Sequence, residues 1–88
     1  MKYYYSTVND VILTHSDMVF ENHARKVLVH FERAKNTGFD FADGILPECS
    51  LYKTGGFSEE ELFELIDYLK RNVLLIWDYA QKDGGMNA

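Results

Sequence analysis

Three histidines and one aspartate are the side chains of this 88-residue chain best suited by type to acid/base or metal chemistry: His15, Asp17, His23 and His30. A histidine beside a carboxylate can move a proton, and histidines converging with a carboxylate can hold a metal. Their spacing matches no compact ligand motif, so they stand as candidate catalytic residues only if the fold gathers them. Surface or locally hydrogen-bonded histidines are the simpler account, and no metal or cofactor is expected. Asp40 and Asp43 could join such a cluster, yet acids near a hairpin usually serve turn geometry. Cys49 has no histidine close in sequence to activate it and reads as a small buried hydrophobe in a strand. Gly55-Gly56 lacks the Lys-Ser/Thr of a phosphate loop and leads into acidic residues that repel phosphate.

The element with the clearest sequence signature is a C-terminal helix, expected over residues 58–83. Ser58 and Glu61 have the three-residue spacing of a capping box, and Phe57 with Leu62 the spacing of a hydrophobic staple. Glu59, Glu60, Glu61 and Glu64 sit at the positive end of the helix dipole, Lys82 near the negative end. Leu62, Ile66, Leu69, Val73, Ile76 and Ala80 recur at intervals of four and three, one stripe along the helix. Asp67 with Arg71 and Asp78 with Lys82 are i,i+4 pairs. Gly84 and Gly85 mark the expected stop.

Residues 1–54 read mainly as strands and hairpins. Lys2 to Val8, rich in tyrosine and β-branched residues, suits a first strand. Val11-Ile12-Leu13 is an apolar run whose type periodicity does not settle. From Lys26, Val27, Val29 and Phe31 alternate with Leu28, His30 and Glu32, so a strand here sets His30 and Glu32 on one face. Asn36, Thr37 and Gly38 predict a three-residue hairpin loop, after which Phe39 and Phe41 resume the alternation. Asp43-Gly44 predicts a second turn, with Ile45 to Lys53 returning as a strand that Pro47 confines to an edge. A rival reading makes residues 17–37 a helix, with Phe20, Ala24, Val27, Leu28, Phe31 and Ala34 as its stripe. The strand reading is preferred. The expected fold is α+β, one domain over 1–88, with a small antiparallel sheet of three to four strands and the long helix packed on one face.

Composition narrows the function. A formal charge of −5 disfavours binding to a nucleic-acid backbone. No apolar run reaches membrane-spanning length, the first seven residues lack a signal-peptide core, and the single cysteine suits a reducing compartment, so a cytoplasmic location is expected. With 47% hydrophobic residues the chain should fold. Val73 to Trp77 are five consecutive apolar residues, more than one sheet-facing stripe can hide. A helix of that length, about 37 Å at 1.5 Å per residue, should also overhang a domain about 30 Å across. Either the N-terminal tyrosines fold over the surplus, or it meets a protein partner or a second copy through Leu74, Trp77 and Val73.

Leu28-Val29-His30-Phe31, Phe39 to Asp43, Gly44, Leu46-Pro47 and a helix carrying Leu74, Leu75 and Trp77 make an order of features that resembles an uncharacterised bacterial family, domain of unknown function 4160. In that family a His-Val-His-Val strand precedes a second strand, a glycine turn, a Leu-Pro step and a helix ending near tryptophan. Leu28 replaces the first family histidine, so only His30 carries over. The resemblance implies a small cytoplasmic bacterial protein with no established activity, of a kind associated with toxin–antitoxin-like gene pairs. The expected function is a non-enzymatic protein-interaction module that binds a protein partner or self-associates as a homodimer. The alternative is a small histidine-dependent hydrolase or nuclease-like toxin using His30 with His15, His23 or Asp17.

Overall fold

The computed structural model describes residues 2–83. Its elements are β1 (Tyr3–Val8), β2 (Val11–His15), β3 (Val19–Glu21), β4 (Ala24–Lys35), β5 (Gly38–Leu46), β6 (Ser50–Gly55) and α1 (Glu59–Asp83). The fold is α+β, with six antiparallel strands where three to four were expected. The order across the sheet is β1-β2-β4-β5-β6, and β3 pairs with β4 beyond the end of β2. Residues 17–37 are therefore strands and a hairpin rather than the rival helix, and Val11 to Leu13 belong to β2.

Two of the extra strands come from turns whose signal is subtle in sequence. Asn9-Asp10 and Asn22-His23 each place both residues at positive φ between 52° and 67°. Paired positive φ is the two-residue hairpin geometry that matches strand twist, and asparagine tolerates it better than most residues. At the third hairpin Lys35 pairs with Gly38, so the loop is Asn36-Thr37 and one residue shorter than expected; Gly38, at φ 140°, already belongs to β5.

Asp43-Gly44 is no turn. Both lie inside β5, which runs on to Leu46; the Leu46–Pro47 bond is cis, and the chain reverses before β6. Glycine is required at 44 by close packing. An added Cβ would lie 2.8 Å from the Ser50 carbonyl oxygen, 2.9 Å from Leu51 and 3.1 Å from Val29. Cys49 is buried as expected, but in the turn at φ 58° rather than in a strand, and burial raises its thiol pKa.

One face of the sheet meets the helix. Leu13, Val27, Val29, Phe31, Ala42 and Leu46 are buried against Leu69, Ile76 and Ala80. Of the helix stripe read from spacing, Leu62, Leu69, Val73, Ile76 and Ala80 pack on the core, joined by Leu65, Tyr68 and Trp77. The cap is also as read: the Ser58 N–H donates to Glu61 Oε1 at 2.9 Å and the Glu61 N–H donates to Ser58 Oγ at 3.2 Å. The stop expected at Gly84-Gly85 lies outside the described residues. The helix does not overhang. β4 has twelve residues, about 40 Å at 3.3 Å each, and the molecule is 39 Å long, so the sheet is as long as the helix. Ala80, in the last turn, is fully buried.

β1 covers part of the helix flank. The Tyr5 hydroxyl donates to Asn72 Oδ1 at 2.8 Å, Ser6 Oγ and the Tyr68 hydroxyl share a 2.8 Å hydrogen bond, and the Tyr5 and Tyr79 rings lie 6.0 Å apart. These contacts bury Tyr5 enough to raise its pKa, with Tyr68 and Tyr79 adding to the shift.

Candidate functional site

The side of the sheet away from the helix has no covering layer among the described residues. The strand alternation turns Leu28, His30 and Glu32 of β4 to this side, together with Phe39, Phe41, Asp43 and Ile45 of β5. Pairing then builds a polar row across five strands. Tyr4 lies opposite Thr14, Thr14 opposite His30, His30 opposite Asp43, and Asp43 opposite Lys53. Apolar side chains flank the row, with Ile12 and Phe41 on one side and Leu28 and Ile45 on the other. Phe39 is 60% exposed at the hairpin end.

His30 is the centre of this face. Its Nδ1 is 2.5 Å from Asp43 Oδ1 and its Nε2 is 3.0 Å from Glu32 Oε1. Carboxylates only accept, so both contacts are hydrogen bonds when both ring nitrogens carry protons. Asp43 therefore does join the histidine, and Glu32 shares its face as the strand reading required. The short Asn36-Thr37 loop decides the first of these. A three-residue loop would pair Lys35 with Phe39 and put Gly44, not Asp43, opposite His30.

The other candidates go elsewhere. His15 is 2% exposed on the helix side, its Nδ1 donating to the Ser16 carbonyl at 2.9 Å and its ring 5.5 Å from that of Tyr3. His23 is exposed in the β3–β4 turn. Asp17 lies between β2 and β3, its Oδ1 buried without a hydrogen-bond partner among the described residues. The histidines thus occupy two opposite faces and a turn. Among the described residues no group of His, Cys, Asp and Glu is arranged to hold a metal. His30 sits between its carboxylates, each ring nitrogen already engaged, and this leaves no common point for an ion.

Of the three residues expected to meet a partner on the helix, Val73 and Trp77 are partly buried and pack on the core. Leu74 is 82% exposed. Leu75 beside it is 54% exposed, while Phe63 is separated from Leu74 by three turns of helix that carry Asp67, Lys70 and Arg71, so Phe63 does not extend this small patch.

A second polar cluster, missed in sequence, locks the helix to the sheet. Asp40 faces inward on β5, buried opposite Arg33 of β4, while its neighbours Phe39 and Phe41 face out. Arg33 donates from Nε and Nη2 to Asp40 Oδ2 at 2.9 and 2.6 Å, and from Nη1 to Glu61 Oε2 at 2.7 Å. Lys35 Nζ lies 2.6 Å from Asp40 Oδ1. Hydrogen bonding from Lys35, then Arg33, lowers the Asp40 pKa. Arg33 and the Ser58 N–H hold Glu61 down to about 2. Gly56, at φ 93°, passes so close over Asp40 that a Cβ would collide with its carboxylate. The Arg33 guanidinium also stacks 4.7 Å above the Phe57 ring. Only the pairing of residues 33 and 40 across the hairpin predicts this cluster.

Comparison of the chain with family models, with curated proteins and with solved structures finds no match in any of the three. No helix among the described residues is long and apolar enough to cross a membrane.

Proposed function

We propose that this protein is a non-enzymatic interaction module that binds a protein partner on the sheet face opposite the helix. The observation that carries the reading is that face itself: Ile12, Leu28, Phe39, Phe41 and Ile45 lie on it uncovered or half-covered, around a central His30–Asp43 pair. An apolar field with a few fixed polar groups is the anatomy of a protein interface, the apolar part supplying affinity and the polar row the register. The acidic balance of the chain favours a basic partner. A toxin–antitoxin-like pair in a bacterial cytoplasm, as the family resemblance implies, is a setting that would supply one. Histidine-dependent hydrolysis draws no support from the geometry, because His15 lies on the opposite face of the sheet from His30 and His23 in the β3–β4 turn.

The test is affinity capture from the native host with the wild type and with the double variant Leu28→Thr and Phe39→Thr, which keeps β-forming residues on the strands. A captured protein that the variant loses, while unfolding at the wild-type midpoint, supports the reading. Equal capture by both chains refutes it. Sedimentation of the wild type alone separates a different partner from a second copy of this chain.

A further inference from the structure

On the helix side of the sheet, away from His30, the N-terminal half of α1 stands off the β1–β2 hairpin and leaves a cleft of about 440 Å³. That volume is in the range of small-molecule sites, roughly 300–1,000 Å³. Its apolar wall is built by the half-buried Val11, Phe57 and Leu65, over the buried Leu13 and Phe31. Its mouth carries the helix charges Glu61, Glu64, Asp67 and Arg71, with Arg33 behind them and the hydrogen-bonded hydroxyls of Ser6 and Tyr68 to one side.

The charge balance at the mouth decides what fits. Each cation has a carboxylate partner: Arg33 is held by Asp40 and Glu61, and Arg71 is paired with Asp67. Glu64 is exposed and has no ion-pair partner among the described residues. The uncompensated charge facing the cleft is negative. The Ser6 and Tyr68 hydroxyls share one hydrogen bond and keep lone pairs that can accept another. An apolar wall below a mouth of net negative charge suits a ligand with an apolar body and a cationic end, and an anion of the same shape would be repelled by the unpaired Glu64.

We propose that this cleft binds a small organic cation, an ammonium group carried on an aromatic or branched apolar body, with the body against the half-buried Val11, Phe57 and Leu65 and the ammonium toward Glu64. The site lies on the other side of the sheet from the proposed partner surface, so either can fail without the other.

The test is a titration of the isotope-labelled full chain by amide NMR with 2-phenylethylammonium, alongside 3-phenylpropionate as an anion of closely similar shape. Saturable shifts centred on Val11, Leu65 and Tyr68 with the amine, and at least about tenfold weaker binding of the anion, are expected. Glu64→Gln should weaken the amine by about two- to fivefold, the range an exposed ion pair gives, without moving the unfolding midpoint. Absence of saturation by about 10 mM amine, weaker than a specific fragment site gives, overturns the proposal. Equal binding of amine and anion, shifts centred on the His30 face, or an unchanged affinity in Glu64→Gln overturns it as well.

Discussion

Ile76 and Leu74 are two residues apart on α1 and have opposite surroundings, one at 0% and the other at 82% exposure. Truncating each to alanine removes three carbons, so the difference between the two variants isolates what the sheet does for the helix. For Ile76→Ala the lost transfer energy is about 2.4 kcal/mol at about 0.8 kcal/mol per buried carbon, and the cavity left in the core raises the total to about 3 kcal/mol or more. In a domain of this size that is a fall in Tm of roughly 12–24 °C. Leu74→Ala removes carbons that are already in water and installs the best helix former, so its effect should stay within about 0.5 kcal/mol of zero. Urea unfolding followed by Trp77 fluorescence and by far-ultraviolet circular dichroism measures both, and an unchanged m-value shows that the same surface is being exposed. An Ile76→Ala loss below about 1 kcal/mol, or equal losses at the two sites, would show that the helix is rotated from the face assigned to it.

Four further outcomes follow from the same contacts. Ser58→Ala should cost about 1 kcal/mol in chemical denaturation, and Ser58→Asp should hold the wild-type midpoint because aspartate also caps and suits the dipole. Glu61 has a folded pKa of about 2 against an ordinary 4.5, so its contribution is present above pH 4.5 and is lost as pH falls toward 2; the urea midpoint of Glu61→Gln should therefore fall less than that of the wild type over this window. Gly44→Ala drives a Cβ to 2.8 Å from the Ser50 carbonyl and should cost roughly 1–3 kcal/mol, read as a lowered thermal midpoint. Leu74→Glu should leave sedimentation unchanged at roughly tens of micromolar, since with Val73 and Trp77 packed on the core the exposed pair Leu74 and Leu75 is a small anchor for a two-fold interface, whereas a wild-type dimer dispersed by this variant would restore the helix as a self-association surface.

How much was legible in sequence follows from the range of the forces involved. The helix was, because its cap and stripe are relations between residues three or four apart, and these reappear in place: the Ser58–Glu61 box, the core-facing Leu69, Ile76 and Ala80, and the acids of the first turn. The alternation of Val27, Val29 and Phe31 with Leu28, His30 and Glu32 was legible too, since a strand's period is two whatever it pairs with. Pairing is another matter. One residue of loop length at Asn36-Thr37 decides that His30 meets Asp43 and that Arg33 meets Asp40, and a slip of one would exchange the inward and outward sets. Gly44 resembled a turn residue locally, and only the approach of Ser50, Leu51 and Val29 from two neighbouring strands shows it to be a packing residue. The inward Asp40 and outward Phe39 and Phe41 run against hydrophobicity; they are settled by Arg33 and Lys35, which reach Asp40 across the hairpin, while Glu61 on the distant helix completes the cluster through Arg33. The amino-acid sequence by itself determined the helix, the periods and the class of fold. The tertiary structure decided which polar groups meet, because register and layer contacts join residues tens of positions apart and local pattern carries no term for them.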